Sequence, residues 1–237
     1  MMGNKSAGLL MGVILVALMA GCVTAAATKK PSVPINKIAL ATFTVRNWEG
    51  VVSGTAGNAR GNELISNMLS GLLTSTENKI AGVKHLNRMS GFINNPTYRS
   101  FNVKSDITLM QPKMGGTPVV NFSRSEADVV AARLTPETAK KLCVTLQVDA
   151  VVVVYSEWAV AMGKFVPTQR ALAKDVVTVW DRNGNLIFNK RVDETGSGVL
   201  GGPYSPVVVN EGTIKQWSEA HNKALDQIVV EMKTVLK

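Results

Sequence analysis

Apolar positions along the chain fall into a few blocks with distinct periods. Residues 148–155, VDAVVVVY, form a nearly continuous apolar run, the pattern of a central strand covered on both faces. A helix is predicted just before it. Thr135 supplies a capping hydroxyl, Pro136 a first-turn proline and Glu137 an acid against the helix dipole, while Ala139, Leu142, Cys143 and Leu146 form the apolar face. Upstream, the β-branched stretch 35–45 predicts a strand, and Leu64, Ile65, Met68, Leu69, Leu72 and Leu73 recur at helical spacing over residues 62–76. Residues 80–86 suggest a second short strand. Downstream, strand patterns at 176–180 and 186–192 flank Asp181, Arg182, Asn183, Gly184 and Asn185, turn chemistry that reads as a hairpin. Ile214, Trp217, Ala224, Leu225, Ile228, Met232 and Val235 lie on one face of a last helix.

Between these blocks lie a Gly-rich loop at 47–61 and a segment, 90–124, with three prolines and no regular helical pattern. Its best ordered piece is 101–109, where Phe101, Val103, Ile107 and Leu109 alternate with polar residues. The order is strand, helix, strand, long insert, helix, strand, hairpin, helix. It predicts an α/β (α+β) fold, a mixed sheet with helices packed against it and a long irregular insert after the second strand. Aromatic residues make up only 5% of the chain, so the core must be largely aliphatic.

The amino terminus follows a different logic. Lys5 precedes an apolar run at 7–20, which ends in small residues before Cys22. The run is shorter than the roughly 20 residues of a spanning helix and fits the apolar region of a signal peptide. Leu18, Met19, Ala20, Gly21 and Cys22 resemble the lipobox of bacterial lipoproteins, with Met19 where that family usually has Leu. The resemblance implies removal of residues 1–21 and acylation of Cys22, palmitate included. Two or more acyl chains hold a protein stably where one binds reversibly. Val23 is not the Asp that retains such proteins at the inner membrane, so the resemblance implies lipid anchoring on the periplasmic face of the outer membrane. Residues 22–34, small and polar with Pro31 and Pro34, read as the lipidated cysteine and a tether. Twelve residues reach at most about 40 Å, which leaves 35–237 as one domain close to the membrane.

Within that domain, the helix ending in VDAVVVVY, the later stretch DVVTVWDRNGNLIFNKRV and the last helix resemble the periplasmic α/β domain of the curli-secretion lipoprotein. They are also similar to the lipoproteins that activate penicillin-binding proteins and to the amino-terminal domain of the Tol-system propeller protein. The resemblance implies either a lipid-anchored binding or assembly module or a subunit of an oligomeric secretion pore. A pore needs membrane strands of about 9 to 11 residues. The places where that family carries them hold residues 156–174, barely long enough for a hairpin, and 193–212, broken by Pro203 and Pro206. The module is therefore the expected function and the pore the weaker alternative.

Catalytic constellations are not assembled in the sequence. Gly196, Gly198 and Gly201 match a dinucleotide-loop spacing, but Gly202, Pro203, Tyr204, Ser205 and Pro206 stand where the helix should begin. A Gly-rich loop is the better reading. His85 and His221 have no neighbour at metal-ligand spacing, and each reads as a surface or packing residue. Neither a nucleophile-elbow motif nor a phosphate-loop motif occurs, and pairs such as Glu126 with Asp128 or Asp193 with Glu194 suit charged faces and turns. The methionines, Met68 and Met232 among them, read as core filling, and Cys143 as a small buried apolar residue. No enzyme activity, cofactor or metal site is expected.

Charge is more informative. Beyond residue 22 the net charge is +8, and residues 125–237 carry 13 groups of each sign. The excess sits at 78–124, where Lys79, Lys84, Arg88, Arg99, Lys104, Lys113 and Arg124 face only Asp106. This basic insert, interleaved with Phe92, Tyr98, Phe101 and Phe122, is the expected contact surface for an acidic envelope protein or anionic envelope polymer. Nucleic acid is not an expected partner outside the cytoplasm; self-association is compatible with the pattern.

Overall fold

The computed structural model describes residues 28–46, 59–101, 107–110, 119–122, 134–162, 167–203, 205, 207 and 210–237. The chain forms strand β1 (Lys37–Arg46), helix α1 (Ala59–Ala81), strand β2 (His85–Asn87), a 3₁₀ turn at Met89–Gly91 and the short helix α2 (Pro96–Arg99). Strands β3 (Ile107–Met110) and β4 (Val119–Phe122), helix α3 (Pro136–Leu146), strands β5 (Ala150–Met162), β6 (Gln169–Asp181) and β7 (Leu186–Thr195), and helix α4 (Glu211–Val235) follow. Five strands make one mixed sheet in the order β2-β1-β5-β6-β7, with β2, β1 and β5 parallel and β5, β6 and β7 antiparallel. β3 and β4 pair antiparallel as a separate ribbon. The α/β expectation is therefore met.

The apolar run at the centre becomes β5, and Val151, Val152, Val153 and Val154 are all fully buried. Because side chains alternate along a strand, burial of all four requires cover on both faces. On one face Trp158 stacks on Trp217 of α4, ring centroids 5.9 Å apart, and the Trp217 indole donates to the Ala159 carbonyl at 2.8 Å. On the other, Cys143 of α3 lies against the Trp180 backbone of β6. Each large aliphatic or aromatic side chain so buried contributes about 1.5–3 kcal/mol.

α3 starts as its sequence dictates: the Thr135 hydroxyl accepts from the Thr138 N–H at 3.1 Å. It ends on Gln147 in the left-handed region (φ 53°), whose N–H closes onto the Cys143 and Val144 carbonyls. α4 opens on a reciprocal cap between Asn210 and Thr213. α1 and α4 run alongside each other, with Ser75 bonded to Asn222, Thr76 to His221 and Lys79 to Asp226.

Several boundaries differ from the sequence pattern. α1 runs on to Ala81, so Ile80 is a buried helix residue and β2 starts only at His85. The helix continues because Glu77 is buried and accepts the Met89 N–H at 2.8 Å and the Arg88 guanidinium at 3.2 Å. Residues 90–124 do contain helix, the single turn α2, which Asn95 caps from its side chain. Of the stretch 101–109, β3 takes only 107 onward, and 102–106 lie outside the described residues. β5 and β6 are each 13 residues long and pair continuously from Ala150 with Asp181 to Met162 with Gln169. Residues 156–162 and 169–174 of the excursion are thus the upper part of one long antiparallel pair.

Candidate functional site

The parallel strands β2, β1 and β5 begin at one end of the sheet, where β6 finishes and β7 starts. The incoming chain crosses this end. The Lys29 N–H donates to the Leu186 carbonyl at the start of β7 at 2.9 Å, and Lys29 Nζ reaches Asn185 Oδ1. Ser32 donates to Asp181 Oδ2 at 2.8 Å, and the Asn183 amide donates to the Ser32 hydroxyl. Asn36 and Lys37 donate their N–H groups to Asp149 Oδ2, each at 3.0 Å. The segment thus strides from β7 past β6 and β5 to β1, with Val33 and Ile35 packed on the core. The expected tether of 22–34 is consequently docked from Lys29 on. Its apparent lack of pattern reflects that its partners, Asp149 and Asp181, lie more than a hundred residues away.

Asp181 organises the turn it begins. Oδ1 accepts the Asn183 and Asn185 N–H groups, and Oδ2 accepts from Ser32 and the Asn185 side chain. Burial pushes its carboxyl up, but the hydrogen bonds from Asn185, Ser32 and Asn183 outweigh this and hold it below the usual carboxylate range. Asp149 is similarly engaged, with Arg182 at 2.9 Å as its ion-pair partner.

The predicted basic contact residues divide. Lys79 forms an ion pair with Asp226 of α4, and Arg88 pairs with Glu77 and bonds to Asn78. Lys84 stands half-buried just ahead of β2, and Arg99 is exposed on α2. Lys104, Lys113 and Arg124 lie outside the described residues, as does Cys22. Where the insert is described it borders a cleft of about 540 Å³ between β2 and the end of α3, lined by Asn87, Arg88, Asn95 and Gln147 among others.

A buried polar chain escaped the sequence reading. His221 Nδ1 lies 2.7 Å from Asp175 Oδ2, a close contact off the line of a hydrogen bond, and Nε2 bonds Thr76 Oγ1 at 2.9 Å. All three residues are fully buried, and Phe43 meets the imidazole edge-on. Acid, imidazole and hydroxyl resemble a hydrolase relay in order only: burial closes the hydroxyl to any substrate. His221 is therefore a packing residue and not a surface one, whereas His85 is exposed. Its position was available in the pattern, since residue 221 falls on the apolar phase of α4 between Trp217 and Ala224.

The glycines at 196–201 are a loop seated on α4. The Gly198 N–H donates to Gln216 Oε1 at 2.6 Å, and a Cβ on Gly196 would come within 2.7 Å of the Gln216 carbonyl. Cys143 is buried, and burial, with the nearby Asp181 and Asp149 charges, pushes its thiol up to about 12. Among the described residues, no group of three or more His, Cys, Asp or Glu side chains converges as a metal site.

No protein-family model matches the chain, and no curated protein matches it. Among solved structures it is similar to a hypothetical protein of Chlamydia trachomatis, with a TM-score of 0.40 and 15% identity over 85% of this chain and 98% of the other. It is also similar to a lipoprotein of Neisseria meningitidis, with a TM-score of 0.31 and 13% identity over 77% of this chain and 91% of the other.

Proposed function

We propose that the protein is a lipid-anchored envelope protein, held through acyl chains on Cys22 at the periplasmic face of the outer membrane, that binds or helps assemble another envelope component. The observation that carries this reading is the docking of Lys29 and Ser32 at one end of the sheet. Only seven residue steps separate Lys29 from the lipobox-like Cys22, a reach of about 25 Å at full extension. Acylation of Cys22 would therefore keep the domain beside the bilayer and fix which end faces it. The basic residues of the insert, with Arg99 exposed and Arg88 at the cleft beside β2, offer a contact surface for an acidic partner protein or an anionic polymer.

Replacing Cys22 with Ser tests the anchor. The variant should accumulate as an unprocessed precursor without acyl chains, read by mass spectrometry and metabolic labelling with a palmitate analogue. Processing and membrane retention equal to the native protein would sink the anchored reading. Crosslinking in intact cells then tests the module: one dominant foreign protein or polymer is expected, whereas a ring of the protein's own subunits would favour a pore.

A further inference from the structure

The end of the sheet crossed by the incoming chain is also where unneutralised positive charge gathers. α1 and α4 both descend to it, and the end of α1 meets Lys233 at Gly82. Lys84 follows α1 directly and leads into β2, while Lys233 and Lys237 close α4, both exposed. Lys29 and Lys30 add two more exposed cations beside the β6–β7 turn.

The carboxylates at this end point inward. Asp181 is fully buried among four donors, and Asp149 is occupied by Arg182 and two backbone N–H groups. Among the described residues the exposed acids there are Glu137, on the first turn of α3 beside Gly184, and Glu231, near the end of α4 and paired with Lys190. With Glu231 matched by Lys190, five lysines stand against Glu137 and leave this end positive.

We infer that this end, marked by Lys29, Lys30, Lys84, Lys233 and Lys237, is a headgroup-binding surface that lies against anionic phospholipids of the membrane bearing the anchor. The inference rests on the anchored reading of Cys22 for its choice of membrane, because the chain that would carry the acyl groups emerges at this same end. Complementary charge supplies the rest. A lysine near an anionic bilayer strengthens binding by about fivefold, and the attraction fades within about a Debye length, roughly 8 Å at physiological salt. A domain on a short tether stays inside that range. This surface takes only Lys84 from the basic insert, and acyl chains and lysines together would orient the domain with this end toward the bilayer.

The test uses the unacylated mature chain beginning at Val23, which keeps every strand and helix described above, so that binding does not depend on the anchor. Co-sedimentation is measured with vesicles of phosphatidylcholine alone and of phosphatidylcholine with 30% phosphatidylglycerol. Binding is expected to the anionic vesicles only. A variant with Lys30, Lys233 and Lys237 changed to Gln should bind them at least about tenfold more weakly. A charge-matched variant with Arg170, Lys215 and Lys223 changed to Gln should stay within about twofold of native. All six side chains are exposed or half-buried, and unchanged thermal unfolding confirms that both variants fold. No preference for anionic vesicles, or equal loss in the two variants, overturns the inference. Failure of the anchor shows separately, as native processing of Cys22→Ser in cells. Anionic binding localised to these lysines would then still establish the surface, without the acyl chains.

Discussion

Ser32 donates its hydroxyl to Asp181 at 2.8 Å, a bond that joins the segment leading into β1 to the turn that leads out of β6. One carboxylate thereby ties together chain positions 149 residues apart while also shaping its own turn through Asn183 and Asn185.

Asp181→Asn removes the charged acceptor and is expected to destabilise the protein by about 2–3 kcal/mol, measured by urea unfolding at pH 7. The folded carboxyl titrates below its unfolded value of about 3.9. Its contribution is therefore fully present above that pH and is lost as pH falls through the lower, folded value. Below about pH 4 the native protein should lose stability more steeply than Asp181→Asn, and parallel melting-temperature profiles would contradict this.

His221→Ala should cost about 3–5 kcal/mol, because it leaves the Asp175 carboxylate and the Thr76 hydroxyl buried without their partner. The double variant Asp175→Val with His221→Leu removes the buried carboxyl as well, and should recover most of that loss. If the double variant were no more stable than His221→Ala, the pair would have to be favourable beyond its desolvation cost.

Gly184 sits at φ +76°, and an added Cβ would come within 2.5 Å of the Pro136 carbonyl. Gly184→Ala should therefore destabilise by about 2 kcal/mol or more. Gly71, inside α1 with open space around it, should respond in the opposite sense: Gly71→Ala gains about 0.5–1 kcal/mol. Thermal unfolding of the two variants distinguishes these signs directly.

Cys143 should be inert in the native state, since its thiol is buried and pushed up to about 12. A chromogenic disulfide reagent at pH 8 is expected to react with it only as urea unfolds the domain. Fast labelling of the native protein would show that α3 does not lie on β6 as described.

The most readable part of the sequence was the unit from Thr135 to Tyr155, where cap, helix face and strand each follow from local residue types and all come together in the structure. Strand lengths were harder to read, because 156–162 mixes polar and small residues and is extended by backbone pairing with 169–175. The docked leader was hidden for a related reason: Ser32, Asn36 and Lys37 are held by single acids far along the chain, which no local period reveals. For His221 the sequence left surface and packing open, although its helical phase already placed it among the buried positions. The charge reading located the excess correctly along the chain, yet Lys79 and Arg88 are matched in space by Asp226 and Glu77.

The path of residues 29–37 across the end of the sheet also has a mechanical consequence. Tension entering from the amino-terminal side reaches Lys29 at Leu186 first, then Ser32 at Asp181, then Asn36 at Asp149. These contacts are met one after another, so they peel in sequence and each yields before the next is loaded. The parallel pairing of β1 with β5, which runs along the pull for the whole strand, bears force only after all of them have opened. Under such a pull the leader would lengthen bond by bond before the sheet was loaded.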